Sequence, residues 1–302
     1  METKLRVSKD NALIDASYRL SLTEMQIILY GIGLINPTQP NFPMNYRIDI
    51  DRFAHQFNRA HQDIYMEVKH AVTKRLWERD FSYVNEKGKT VTLRWLTKMV
   101  HEDKSGYIEI KFSEEIQPYL HNLQSRFTAY YLDQVVNFRS VYSVRLYEQS
   151  LMFIHKTTKS SKFTLLVSDL KKQLELTNKY DRFFNFKTYV LEVAKKEINK
   201  FSDLNFDYKV IKLGRVPHQI EFTVSKKQKS DVPEIQIQKL PSNKLSTAIL
   251  EDAKKLILKA QTGWDLYALE EQFYEYITKV GQPKNMKAAF IGFVKKKVAK
   301  CP

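Results

Sequence analysis

Between residues 180 and 224 the spacing of apolar positions changes part-way along. Phe183, Phe186, Val190, Val193, Ala194 and Ile198 recur at three- and four-residue intervals, with Arg182, Asn185, Thr188, Tyr189, Glu192, Lys195, Lys196 and Asn199 between them. This predicts one long helix with an apolar face and a polar, mostly cationic one. Beyond Ser202 and Asp203 the period falls to two. Phe206, Tyr208 and Val210, then Ile220, Phe222 and Val224, alternate with polar residues on either side of Lys212-Leu213-Gly214-Arg215. The pattern is a helix followed by a hairpin with a basic tip.

The same order occurs twice. Leu20 to Glu24 open an apolar helix to about Ile35, ended by Asn36-Pro37, and Tyr46 to Ile50 read as a short strand. Asp51 is expected to cap a helix through Phe57. After a turn over Asn58 to Asp63, Ile64, Val68, Ala71, Val72 and Arg75 mark a second helix ending near Asp80. Strands are expected over Phe81 to Val84, Val91 to Val100 and Tyr107 to Phe112, with turns at Glu86 to Lys89 and Asp103 to Gly106. In the second copy Ser140 precedes a helix through Ile154, Phe163 to Val167 is a strand, and Ser168 caps a helix over Asp169 to Leu176. A helix-turn-helix followed by a hairpin, written twice in diverged residues, predicts an α+β chain of two tandem winged-helix domains, residues 1–135 and 136–228. The Lys-, Gln-, Ser- and Pro-rich run 226–244 reads as a linker. Residues 229–302 thus comprise linker and a small helical C-terminal extension, with helices near 245–260, 264–280 and 284–300.

A helix narrow enough for a major groove beside a cationic hairpin is suited to duplex DNA. Charge sharpens that reading. The 302 residues hold 49 Lys and Arg against 34 Asp and Glu, a net +15, and such a field draws polyanions. Residues 1–135 contribute +1, residues 136–230 contribute +10 and residues 231–302 contribute +4. The excess therefore surrounds the second helix and its hairpin. Two reading helices on one face of B-DNA lie about one turn, ~10 bp, apart, so the pair is expected to cover roughly 20 bp.

Other function classes lack their residues. The seven histidines form no His-x-His pair to hold the metal of a rolling-circle nicking enzyme, which leaves Tyr276 isolated, and no GxxxxGK phosphate loop is present. We therefore expect no enzyme, no catalytic residue, no metal and no cofactor. Cys301 is the single cysteine, no secretory signal is visible, and the longest apolar run, Ile27 to Ile35, is far short of the ~20 residues of a membrane span. The expected compartment is the cytoplasm, with no membrane partner. Leu13, Leu20, Ile27 and Leu34 stand seven apart, but the helix start near Leu22 favours core residues over a zipper. Arg145 and Glu148 read as scaffold ion-pairing at the domain interface rather than as catalysts.

Four segments carry a family resemblance: NALIDASYRLSLTEMQIILYGI at 11–32, FSEEIQPYL through FTAYYL at 112–132, SVYSVRLYE at 140–148, and NFKTYVLEVAKKEINKFSDLNFDYKVIKLGR at 185–215. Over about residues 9 to 225 the chain resembles the iteron-binding replication initiators of theta-replicating plasmids, related to the F-plasmid initiator. The resemblance implies two winged helices that bind direct repeats at a plasmid origin as a monomer. It also implies a dimer that represses the initiator's own gene through an inverted repeat, and recruitment of the host initiator and replicative helicase to opened AT-rich DNA. In that family the helix matching residues 180–199 enters the major groove, and the positions of Arg182, Asn185, Thr188 and Tyr189 face the bases. Family members often carry two adjacent basic residues where this chain has Thr188 and Tyr189, so a different repeat is expected to be read.

Arg182 suits guanine O6 and N7, and Asn185 suits adenine N6 and N7. Lys187, Lys195, Lys212 and Arg215 suit phosphates. Tyr189 either packs on the wing or touches a thymine methyl, and Lys195 and Lys196 either meet phosphate or stay solvated. The first domain offers Lys69, Thr73 and Lys74, which its near-neutral charge confines to a weaker, positional role. Lys295 to Lys297 either touch DNA or form a solvated helix end. The rival binding function is that of a tandem winged-helix transcriptional regulator.

Overall fold

The computed structural model describes residues 4–35, 45–59, 61–85, 87–101, 106–123, 126–154, 158–228, 247–260 and 285–299, with Leu269, Phe273, Tyr276, Ile277 and Pro283 between the last two spans. The chain forms two compact units, Met1–Ile237 and Gln238–Pro302.

The first unit opens with β1 (Arg6–Asp10), the short α1 (Asn11–Asp15) and α2 (Leu22–Gly33). Ser21 and Glu24 form a reciprocal capping box at the start of α2. β2 (Asn45–Asp49) leads into α3 (Ile50–Gln56), where the cap is Asp49, not Asp51 as expected: its carboxylate accepts from Arg52 N at 3.0 Å. Next comes α4 (His61–His70), which loosens into a π-helical turn at Ala71–Arg75 and tightens into a 3₁₀ turn at Leu76–Glu78. The expected strand Val91–Val100 breaks at Trp95, which is fully buried. Its two parts, β4 (Thr90–Arg94) and β5 (Leu96–His101), join different sheets: β4 pairs with β3 (Asp80–Val84), and β5 with β6 (Tyr107–Phe112). β6 also pairs with β2, giving the order β2-β6-β5. Gly31 lets α2 approach this sheet, since a Cβ there would lie 2.7 Å from Ile110 Cδ1. After α5 (Gln117–Leu120), β7 (Phe127–Tyr131) returns antiparallel to β1, so both ends of this domain are stitched together. Neither β1 nor β7 was anticipated from the residue pattern.

The second copy starts at α6 (Val141–Phe153), capped by Ser140, and continues through β8 (Ser160–Leu166) and α7 (Val167–Gln173). Ser168 lies inside α7 and does not cap it. Its hydroxyl turns to Asp169, and the N-cap Leu166 makes no side-chain bond. The long helix follows as α8 (Phe183–Phe186), a π-helical stretch at Lys187–Glu192 and α9 (Val193–Phe201). The hairpin of β9 (Leu204–Leu213) and β10 (Val216–Lys226) completes the sheet β8-β10-β9. In both copies a helix, a strand and two helices precede a hairpin whose last strand inserts beside the first. The chain is therefore two winged helices. The linker expected from residue 226 begins later: Lys226 pairs with Leu204 as the last residue of β10, and Lys227 Nζ donates to Asn199 O (2.5 Å) and Ser202 O (2.8 Å) at the end of α9.

One core runs through both winged helices. Leu13, Leu20 and Ile27 are buried in it and Leu34 packs against it, while helices α1 and α2 are separate, so the seven-residue spacing marks core. α6 is where the copies meet. Arg145 and Glu148 do not pair with each other there. The Arg145 guanidinium donates to Ala16 O at 2.7 Å and stacks 3.6 Å from the Tyr18 ring centroid. Glu148, fully buried, faces Lys9 Nζ at 2.8 Å and accepts from Tyr130 Oη at 2.5 Å. Burial, with Glu148 beside it, pushes the Tyr130 hydroxyl well above its ordinary range. On the side of the second copy, Glu197 of α9 accepts from Arg139 N (3.0 Å) and Ser140 N (3.2 Å), and Tyr147 Oη donates to Asp203 (3.0 Å).

The second unit contains α10 (Thr247–Ala260) and α11 (Met286–Val298). Ala253, Ile257, Leu269, Phe273, Ile277, Phe290 and Val294 form its core. Most of the expected helix over 264–280 lies outside the described residues.

Candidate nucleic-acid interface

The reading helix begins at Arg182, its N-cap, and not at residue 180. Tyr180 sits at a φ of +56° and ends the approach loop, whose carbonyls at Lys179 (3.4 Å) and Tyr180 (2.9 Å) are held by Lys171 Nζ. Phe186, Val190, Leu191, Ala194 and Ile198 are buried. The opposite side carries Arg182, Asn185, Lys187, Thr188 and Tyr189 at the N-terminal end. Among the described residues, the side chains of Arg182, Asn185 and Thr188 have no partner within the protein, so their donors and acceptors remain available. Tyr189 is exposed and stacks on Tyr180, with ring centroids 6.0 Å apart, instead of on the wing. Lys187 lies 4.0 Å from Glu192, a loose, exposed pair.

Lys195 is differently placed. Its ammonium meets Asp207 of β9 at 2.6 Å. This hydrogen bond raises the lysine's pKa and lowers that of Asp207, to which the Tyr208 backbone N–H also donates. Tyr208 Oη donates to Glu192 at 2.7 Å, and burial followed by that carboxylate pushes the phenol up. Lys195 thus ties helix to wing. The wing itself is a two-residue turn, Gly214-Arg215, in which Gly214 takes the positive φ (+62°) a tight hairpin needs. Lys212 and Arg215 are exposed at its tip, flanked by Leu213 and Val216, and carry no ion pair among the described residues.

Two features here were not read from the residues. Phe184 is 72 % exposed, one position after the half-buried Phe183. The sequence offered a signal, since Phe183 and Phe186 already fill the three-residue spacing and leave Phe184 off the core face. The π-helical stretch left no such signal. By inserting a residue into the turn it rotates everything beyond it by about 100° relative to a regular helix.

In the first winged helix, Lys69 is half-buried on α4, while Thr73 and Lys74 belong to the π-helical turn, their side chains lying outside the described residues. The neighbouring surface is mixed. Met66 and Trp77 are exposed, and Glu67 accepts from Thr23 (2.7 Å) and Arg59 (2.5 Å). Burial raises the Glu67 pKa, but these bonds outweigh it and hold the carboxyl low. Among the described residues no group of three His, Cys, Asp or Glu is placed to hold a metal ion, and no helix is long and apolar enough to cross a membrane.

Comparison with known proteins gives this arrangement a family. Residues 6–152 match the model of the initiator replication protein WH1 domain, and residues 166–224 match that of the initiator Rep protein WH2 domain. A replication initiation protein of Escherichia coli is 30% identical over 258 residues, 83% of this chain and 80% of that protein. The chain belongs to the Rep initiator family. The PI protein of Escherichia coli is 28% identical over 126 residues, 38% of this chain and 40% of its own length. The crystal structure of the Pi initiator protein in complex with iteron DNA superposes with a TM-score of 0.64 at 20% identity, covering 76% of this chain and 100% of that one. At that identity the match speaks for the shared fold. The WH1 match includes α6, so the helix that contacts α9 is counted with the first domain by the family pattern.

Proposed function

We propose that this Rep protein initiates replication of a plasmid by binding direct repeats at its origin, in the cytoplasm, as a monomer whose two winged helices share one repeat. The observation that carries the reading is the N-terminal end of the helix starting at Arg182, where the polar side chains of Arg182, Asn185 and Thr188 have no partner among the described residues and only a loose pair holds Lys187, beside a wing whose basic tip carries no ion pair there. Arg182 and Asn185 read base edges there, Thr188 and Tyr189 complete the contact surface, and Lys187, Lys212 and Arg215 meet phosphates. Lys195 reaches phosphate only by leaving Asp207. The first domain, 1–135, makes weaker contacts through Lys69, Thr73 and Lys74 and supplies the interface of a dimer that represses the protein's own gene at an inverted repeat. Opened AT-rich DNA then receives the host initiator and the replicative helicase.

The relatives' names support initiation and, for Pi, iteron DNA. The monomer-to-dimer division of labour rests on geometry. Two unlike readers in one chain fill a direct repeat alone, whereas an inverted repeat calls for two-fold symmetry. Footprinting on the plasmid origin is expected to protect roughly 20 bp per repeat. Sedimentation is expected to find one chain per direct repeat and two per inverted repeat. Obligate dimers on both DNAs would instead leave the protein a tandem winged-helix regulator.

A further inference from the structure

A cavity of about 290 Å³ opens where the two winged helices meet, reaching the loop that leads into the helix starting at Arg182. Its walls come from the turn before α2, the end of the first reading helix, the start of α6 and the loop after α7. Five cations line it: Arg19, Arg75, Arg79, Arg145 and Lys179. Arg79 is neutralised, because Glu24 takes its Nε at 2.9 Å and its Nη2 at 3.2 Å. Among the described residues no ion pair joins the other four to a carboxylate, and Glu175 is the one acidic residue in the lining. Asp15, outside the lining, lies within reach of Arg145's field and offsets part of that one charge; Arg19, Arg75 and Lys179 have no such neighbour among the ion pairs of the described residues.

The lining also holds unsatisfied groups. Arg145 and Tyr18 are 5 % and 4 % exposed, yet Arg145 Nη1 and Tyr18 Oη have no hydrogen-bond partner. Both atoms are sealed from solvent, so a ligand entering the cavity meets the exposed cations Arg19, Arg75 and Lys179, with the field of the Arg145 guanidinium added. An anion with several oxygens offsets these unpaired cations.

We propose that this seam cavity is a binding site for a phosphate group. The volume is near the lower limit of small-ligand pockets, which fits a phosphorylated small molecule with its phosphate towards Arg19, Arg75 and Lys179. A DNA backbone phosphate is the other source of the same chemistry. A ligand here touches both winged helices, so it stabilises the particular arrangement of the two readers found in this structure. The site does not depend on the function proposed above, since its occupancy can be read without DNA.

The test uses the full chain and inorganic phosphate. Thermal unfolding is followed with increasing phosphate at ionic strength held constant with sodium chloride, for the parent protein, R19A/K179A and R19K/K179R. Both residues are exposed, so circular dichroism of the unliganded variants serves as the check on folding. A midpoint that rises with phosphate in the parent and in R19K/K179R, but not in R19A/K179A, is the expected result. In a second arm, binding of a random duplex in phosphate-free buffer is measured against salt. An unchanged slope for R19A/K179A assigns the site to a free phosphorylated ligand; a slope lower by about two assigns it to the DNA backbone, with or without the phosphate effect. If phosphate moves all three midpoints equally or not at all, and the slope is also unchanged, the site does not exist.

Discussion

The two reading helices are built alike and equipped differently. Each follows a strand and a helix, each loosens into a π-helical turn, at Ala71–Arg75 and at Lys187–Glu192, and each precedes a hairpin whose last strand inserts into the sheet. Around the second, Arg182, Asn185 and Thr188 at the N-terminal end have no side-chain partner among the described residues and the wing tip is basic. Around the first, Glu67 is engaged by Arg59 and Thr23, Met66 and Trp77 are exposed, and the domain's net charge is +1 against +10 for residues 136–230. The two copies share a backbone plan and differ in their side chains, and on the function proposed above that difference makes the second copy the reader of DNA and the first its support.

The comparison can be broken most sharply at the seam. Lys9→Met leaves Glu148 buried with its charge unpaired and is expected to cost about 3 to 5 kcal/mol in urea unfolding, with DNA binding lost only as folding is lost. Adding Glu148→Leu is expected to restore much of that stability. Were Lys9→Met fully stable, the first domain would not be the rigid support described here.

Next in size are the bases. Arg182→Ala and Asn185→Ala are each expected to cost about 1 to 3 kcal/mol on the cognate repeat with little change on random duplex, whereas Lys69→Ala in the first copy weakens both DNAs alike and by less. Equal losses on both duplexes for Arg182→Ala would make it a phosphate ligand. Lys212→Ala and Arg215→Ala are expected to flatten the salt dependence by about one unit each, read by titration at several salt concentrations.

The smallest effect concerns Lys195. Because Asp207 titrates below the usual carboxylate range, the pair contributes wherever that carboxylate is ionised and is lost as pH falls through the lowered folded value. Asp207→Asn frees the lysine at neutral pH and is expected to tighten random duplex a few-fold while steepening its salt slope by up to one unit. No change in slope would show that Lys195 does not reach the backbone even when released.

Much of this was legible from residue spacing, because the burial of Phe186, Val190, Ala194 and Ile198 imposes the period that announces a helix, and Phe206, Ile220 and Phe222 impose that of a sheet. The double occurrence of the winged helix was readable for the same reason. What escaped was set by distant partners. β1 and β7 exist because residues more than a hundred positions apart pair, the break at Trp95 comes from its burial between two sheets, and Lys195 finds Asp207 only once the hairpin register is fixed. Of the candidate site, Arg182 and Asn185 could be named as candidate base readers from their chemistry alone. The exposure of Phe184 and the stacking of Tyr189 on Tyr180 required the loop's actual path.

The helix α6 has a consequence for the DNA as well as for the protein. With Arg145 gripping the carbonyl of Ala16 on one side and Ser140 held by Glu197 on the other, the two readers are mounted on a common stiff bar. A stiff bar is a ruler. Lengthening the repeat by half a helical turn, about 5 bp, would carry one half to the opposite face of the duplex, where only one reader can reach. If both helices read one repeat as proposed, phasing along the groove is enforced by mechanics far from any base, and the repeat length at the origin becomes a dimension of the protein's interior.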